Sequence, residues 1–193
     1  MPSRFIRRPA VVVYDRLYRA VHRLDQPGAQ VGPALRVALG SCRRRRVLLD
    51  DTVLAAGCTV GILHLNNERI VRLHTDGLQP MGVGLEFRRM LVTSLHLLAA
   101  RAAERGPLGD VTAFEATTIF HRGLRRLGFQ PERDGRGWSR LVAAYQRALL
   151  ASLHPAGSLR VRPDAYGSAR RLWLTRPALL ERYGTVSRAA AGG

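Results

Sequence analysis

Lysine is missing from the chain: all 31 basic residues are arginine, set against 14 acids for a net charge of +17 over 193 residues. Uniform arginine beside abundant alanine, glycine and leucine is the mark of codon bias in a GC-rich genome. The identity of the basic residue therefore says little, while the positive field, which any basic residue would supply, favours anionic partners. Without lysine there is no P-loop phosphate grip. Aromatics are scarce, at 6%, and do not alternate with the arginines as they do on single-strand stacking platforms, which argues against nucleic acid. The two cysteines, Cys42 and Cys58, have neither a CxxC partner nor a histidine at zinc spacing, so no metal site is expected. A disulfide would need an oxidising compartment, and no signal peptide is visible. Both thiols are expected to be free and partly buried, and a cytoplasmic protein is expected. No apolar run is long enough to span a bilayer, the stretch at 10–13 being far too short.

What is present begins with charge. Residues 1–50 hold eleven arginines against three acids, residues 51–100 balance at four against four, and the remainder is again basic. In residues 10–24, Val13, Leu17, Val21 and Leu24 recur at helical spacing with arginines between them. This reads as an amphipathic helix, packed on the core or lying on an anionic membrane at its inner face. Two prolines and two glycines at 26–33 make a loop. The expected organisation is therefore a basic helix and linker at 1–33, an α+β domain at 34–184 and a disordered tail at 185–193.

Within the domain, residues 35–39 and 46–50 read as strands, Asp50-Asp51 as a turn, 52–54 as a returning strand, Gly57 as a turn and 60–65 as a strand. Apolar residues at Phe87, Met90, Leu91, Leu95, Leu98 and Ala102 keep a period near 3.6, predicting a helix over 86–105. Residues 111–114 then predict a strand, 116–127 a helix closed by Gly128, 129–132 a strand and 138–152 a helix. Residues 171–175 predict a last strand, and Pro177 opens a short helix over 178–183. Strand and helix alternate, so the fold class is α+β: one domain with a central mixed sheet of about six strands and helices packed on it.

No cluster spells out a mechanism. His64, near the end of a strand and beside Asn66 and Asn67, is the best single candidate for orienting a ligand or moving a proton near neutral pH. The plainer reading is a strand-end histidine bonded to a nearby carbonyl, with the two asparagines making the turn. Trp138, flanked by Arg136 and Arg140, offers a flat face for a sugar ring or an anchor for its helix, while Trp173 reads as core. His74, His96, His121 and His154 fit no metal geometry and read as structural or surface residues. Glu115, placed at a helix start, would complement the helix dipole or act as a base. Ser41, Ser94 and Ser139 sit in no nucleophile elbow.

The words Gly57-Cys58-Thr59-Val60-Gly61-Ile62-Leu63-His64-Leu65-Asn66-Asn67, Arg126-Leu127-Gly128-Phe129, Leu172-Trp173-Leu174-Thr175 and Leu179-Leu180-Glu181-Arg182-Tyr183-Gly184 resemble the YkoP-like family over roughly residues 10–184. That family is similar to domains attached to the C-terminus of bacterial polysaccharide deacetylases. The resemblance implies an accessory role in cell-envelope glycan chemistry, with a deacetylase or another envelope-glycan enzyme as partner. It does not imply a deacetylase, whose metal-binding Asp and His motifs the chain lacks. A second resemblance, of Gln79-Pro80-Met81-Gly82-Val83-Gly84 to the Q/R-x-x-G-x-G/A loop of GNAT-type acetyltransferases, implies acetyl-CoA held by Gln79, Gly82 and Gly84 at a helix N-terminus. The leading expectation is thus a non-catalytic or cryptically catalytic accessory module needing no cofactor. The alternatives are an acyl-CoA-dependent N-acyltransferase with a GNAT-like fold and an arginine-rich nucleic-acid binder using Arg43–Arg46.

Overall fold

The computed structural model describes residues 27–65, 80–133, 146 and 169–184. After a short 3-10 turn, Pro27–Ala29, the chain runs through β1 (Gln30–Val31), β2 (Leu35–Ser41), β3 (Arg46–Val47), β4 (Val53–Leu54) and β5 (Thr59–Leu65). Helix α1 (Pro80–Ala103), β6 (Ala113–Thr118), α2 (His121–Arg126) and β7 (Gln130–Pro131) follow, then β8 (Arg170–Thr175) and α3 (Arg176–Tyr183). The main sheet has six strands in the order β1-β2-β5-β6-β8-β7, and β3 and β4 form a separate hairpin. Among the described strands only β5 and β6 run parallel, and α1 lies in the connection between them, as a parallel pair requires. The fold is the α+β arrangement with a mixed sheet that the alternation of strands and helices predicts.

Side chains alternate across each strand, so the sheet has two different faces. One carries Leu35, Val37, Leu63, Phe114, Ala116, Leu172 and Leu174 against Leu95, Leu98 and Ala102 of α1, Leu124 of α2 and Leu179 and Tyr183 of α3. Phe114 lies against Gly61, where a Cβ would meet its Cδ1 at 2.5 Å, so the glycine in the middle of β5 makes room for the ring. Buried Ser94 ties α1 to the β1–β2 turn: its hydroxyl accepts from the Ala34 N–H at 2.9 Å and donates to the Met90 carbonyl at 2.9 Å. His96 joins α1 to α3, with Nδ1 2.8 Å from the Tyr183 carbonyl and its ring edge-on to Tyr183. Tyr183 donates in turn to the Leu127 carbonyl.

The elements differ from the sequence reading in several places. Within the stretch 26–33, expected to be a loop, Gln30 and Val31 form β1, because they pair with Arg36 and Leu35 of β2. α1 begins at Pro80 rather than at 86, because proline suits a first helical turn and the period-3.6 pattern starts only at Phe87. β6 extends through Thr118, so the helix expected from 116 begins at His121: Thr117 and Thr118 are paired with Arg171 and Arg170 of β8, and tertiary pairing overrides local preference. Glu115 consequently stands in mid-strand, not at a helix start. α2 ends as expected around Gly128, whose N–H donates to the Arg125 carbonyl while that of Phe129 donates to Leu124. Thr175 closes β8 and caps α3, accepting from the Ala178 N–H at 3.3 Å, with Pro177 in the first turn. The expected helices over 10–24 and 138–152 lie outside the described residues, Gln146 excepted.

Candidate functional site

The second face of the sheet carries the charge. Val60, Ala113 and Trp173 on this face form a small core with Cys42, Leu48 and Leu54. Ile62 and His64 follow Val60 along the same face of β5, and Glu115 and Thr117 follow Ala113 along β6, with Ile62 level with Glu115. Across β6 and β8, Glu115 opposes Trp173 and Thr117 opposes Arg171.

The hairpin of β3 and β4 closes one end of this face. It belongs to an excursion, residues 43–57, that leaves β2 and returns to β5. Leu48 bridges to Glu132, just after β7, and Arg133 donates its N–H to the Val47 carbonyl. Gln130 brackets Asp50, accepting from its N–H and donating 2.7 Å to Oδ2. The Asp51 carboxylate pairs with Arg133. The turn itself is set by Asp50 Oδ1 accepting from the Thr52 N–H and by Asp51 in the left-handed region at φ 64°.

Four charged side chains from four strands' worth of sequence meet between the hairpin and the sheet. Arg46 Nη1 lies 2.5 Å from Glu132 Oε2, and the Trp173 indole N–H donates to Glu132 Oε1 at 3.1 Å. Arg171 Nε lies 3.0 Å from Glu115 Oε1, with Nη1 3.7 Å from Glu132 Oε1. All four are mostly shielded, with side-chain exposures between 11% and 22%, so their mutual pairing, not water, balances the charge. Burial nonetheless holds the Glu115 carboxyl above its ordinary range, against the pull of Arg171, Arg46 and Arg43 and with a further push from Glu132.

His64 sits on this face, one residue from the end of β5 and in register with Arg36 of β2. The structure thus places an arginine directly across the ladder from it. Its expected companions Asn66 and Asn67, together with Trp138 and Gln79, lie outside the described residues. Gly82 and Gly84 are inside the first turns of α1, not in a loop ahead of it; Gly84 is exposed, and a Cβ there would meet nothing. Trp173 is core, at 1% exposure. Among the described residues, no three His, Cys, Asp or Glu are placed to hold a metal ion, and no helix is long and apolar enough to cross a membrane.

The outer surface shows the opposite charge behaviour. Arg43, Arg44 and Arg45, between β2 and β3, are exposed, as are Arg122, Arg125 and Arg126 of α2 and Arg170 at the start of β8. Among the described residues none of these side chains forms an ion pair. Three of them act on His121, which is kept below its ordinary proton affinity by burial first and then by Arg170, Arg122 and Arg125.

Sequence reasoning did not find the Arg46, Glu115, Glu132, Arg171 network. The signal available was the alternation Phe114 and Ala116 against Glu115 and Thr117, a period of two that puts the glutamate on a strand face. The sequence profile of the YkoP domain matches residues 7–183. No curated protein and no solved structure matches the chain.

Proposed function

The chain belongs to the YkoP domain family, and from that premise we propose that it is a non-catalytic accessory module that holds an anionic cell-envelope polysaccharide for a partner enzyme such as a polysaccharide deacetylase. The observation that carries this reading is the division of charge. The shielded carboxylates and guanidiniums are matched to one another, whereas among the described residues the exposed arginines of the 43–45 turn and of α2 have no acidic partner. A matched network positions strands and offers no uncommitted base. Unmatched arginines on the outside attract a polymer bearing carboxylate or phosphate groups and release its counterions on contact. His64 and Arg36 border the same sheet face and are the residues in reach of a sugar that enters it from that end.

The test is co-sedimentation of the purified full chain with insoluble envelope polysaccharide over a salt series, with double-stranded DNA as a soluble competitor. Binding that weakens with salt, survives DNA at equal charge, and falls when Arg122, Arg125 and Arg126 are replaced by Gln is expected. Competition by DNA at equal charge concentration would replace the glycan reading by the nucleic-acid one. A melting shift with acetyl-CoA that disappears in Gly82→Trp would replace it by acyl transfer.

A further inference from the structure

We propose that Cys42 and Cys58 form a built-in dithiol that a low-molecular-weight disulfide converts to an intramolecular disulfide, stapling the base of the 43–57 excursion. The inference is independent of the ligand proposed above and rests on the junction where the excursion leaves and rejoins the sheet.

The last register pair of β2 and β5 is Ser41 with Thr59, so Cys42 and Cys58 come next, on opposed strands. The Cys42 N–H donates to the Cys58 carbonyl at 2.9 Å, and the Gly57 N–H donates to the Cys42 carbonyl at 2.7 Å. With Gly57 at φ 83°, these bonds define a glycine bulge, in which Cys58 remains the residue facing Cys42. Both side chains turn to the same side, where they pack with Leu48, Leu54, Val60, Ala113 and Trp173. Each thiol is free. Facing Cβ atoms on antiparallel strands stand about 5 Å apart, and a disulfide needs about 4 Å. The bulge lies where the ladder stops, so the chain there can close that small difference.

The two thiols have different access. Cys42 is buried, with Sγ donating to the Arg44 carbonyl at 3.0 Å, whereas Cys58 is partly exposed. Burial, with the neighbouring Cys42 adding to it, raises the Cys58 thiol above its ordinary range, which makes attack slow at neutral pH. Its exposure, with Cys42 buried beneath, nonetheless makes Cys58 the entering group. Its thiolate attacks one sulfur of the small disulfide, whose S–S bond breaks and releases one thiolate. The Cys42 thiolate then attacks the Cys58 sulfur of the mixed disulfide and releases the second. The two protons shed by the protein thiols end on the two released small thiols, so the protein is oxidised by two electrons and the small disulfide reduced by two. The closed ring holds Arg43–Arg45 at the surface and Arg46 against Glu132.

The full chain is incubated under native conditions with oxidised glutathione, quenched in acid, alkylated and digested with trypsin. Cleavage at the arginines of 43–46 separates Cys42 from Cys58 unless a disulfide links their peptides. The expected product is the linked peptide in monomeric protein, with a melting temperature several degrees above that of the reduced chain, since the link constrains the unfolded state. Cys42→Ser should stop at glutathione on Cys58, and Cys58→Ser should stay reduced over the same period. Wild-type protein that stops at glutathione on Cys58 with Cys42 still alkylated would overturn the proposal. So would links between chains, or a reaction that begins only in urea.

Discussion

The two faces of the one sheet solve the same problem in opposite ways. On the helix-covered face, α1, α2 and α3 bury leucines, Phe114 and Tyr183 in a continuous apolar layer, and polar groups enter only with their partners, as Ser94 does. On the other, a small apolar cluster around Trp173 is ringed by carboxylates and guanidiniums that satisfy each other. The first face obtains stability from area removed from water, without directional demand. The second obtains position from directional bonds, since its desolvated charges contribute little net energy but tolerate few arrangements. Geometry is therefore specified on the charged face. The hairpin β3–β4 is too short to hold itself and is placed by Glu132 and Gln130.

Breaking the apolar face should have the largest effect. Phe114 is fully buried, and Phe114→Ala is expected to cost about 3–5 kcal/mol, read as a lowered urea midpoint with unchanged slope. Gly61→Val tests the same contact from below, by driving a side chain into the ring. If both variants unfold at the wild-type midpoint, Phe114 does not pack as described.

The charged face should respond next, and asymmetrically. Glu132→Ala strips a partner from Arg46, Arg171 and the Trp173 indole together and is expected to cost about 3 kcal/mol. Replacing Arg46 and Glu132 together by Met should recover much of that loss, because no charge is then left buried alone. A double-mutant cycle on urea midpoints measures the coupling. Additive losses would mean that the pair is not a unit.

How much of this comparison could be read beforehand depends on the range of the interactions. α1 was legible because its pattern repeats every 3.6 residues over some five turns, and Trp173 was legible as core because apolar neighbours flank it in a strand. The start of α1 was not, since Gly82 and Gly84 weaken the helical pattern just where it begins. The charged network was illegible for a different reason. Arg46, Glu115, Glu132 and Arg171 are each unremarkable in local context, and only the pairing of β6 with β8 and the docking of the hairpin on β7 bring them together. Misplacing Glu115 at a helix start followed from ending β6 four residues too soon, although Thr117 and Thr118, both β-branched, favour a strand. The expected His64, Asn66, Asn67 corner is described only at His64, so of that site the sheet face and the Arg36 neighbour are what the structure adds.

A smaller effect separates the two faces by pH. Glu115 binds its proton more tightly when folded than the ordinary value of 4.5, so the stability it contributes is present below that pH and is lost as pH rises through the raised folded value. The apolar face has no such slope. Glu115→Gln should therefore gain on the wild type in urea midpoint between pH 4.5 and pH 7, whatever constant offset the lost bond to Arg171 introduces. A difference that stays flat over that window would mean that Glu115 ionises as an exposed glutamate does.

The smallest effect on stability belongs to neither face but to the arginines outside both. Arg43, Arg44 and Arg45 are exposed and make no ion pair among the described residues, so replacing all three by Gln should move stability by no more than about 0.5 kcal/mol per site. The sign should be slightly favourable at low salt, since a chain of net charge +17 repels itself and three fewer charges relieve it. The same replacement should weaken binding to an anionic polymer and flatten its salt dependence, because each arginine withdrawn is one fewer counterion released. Stability and binding would then part company: interior charges set where the strands lie, and exterior ones decide what the surface meets. A triple variant that lost stability as heavily as Glu132→Ala would show instead that these arginines belong to the folded network, and the division between the matched interior and the unmatched exterior would fail.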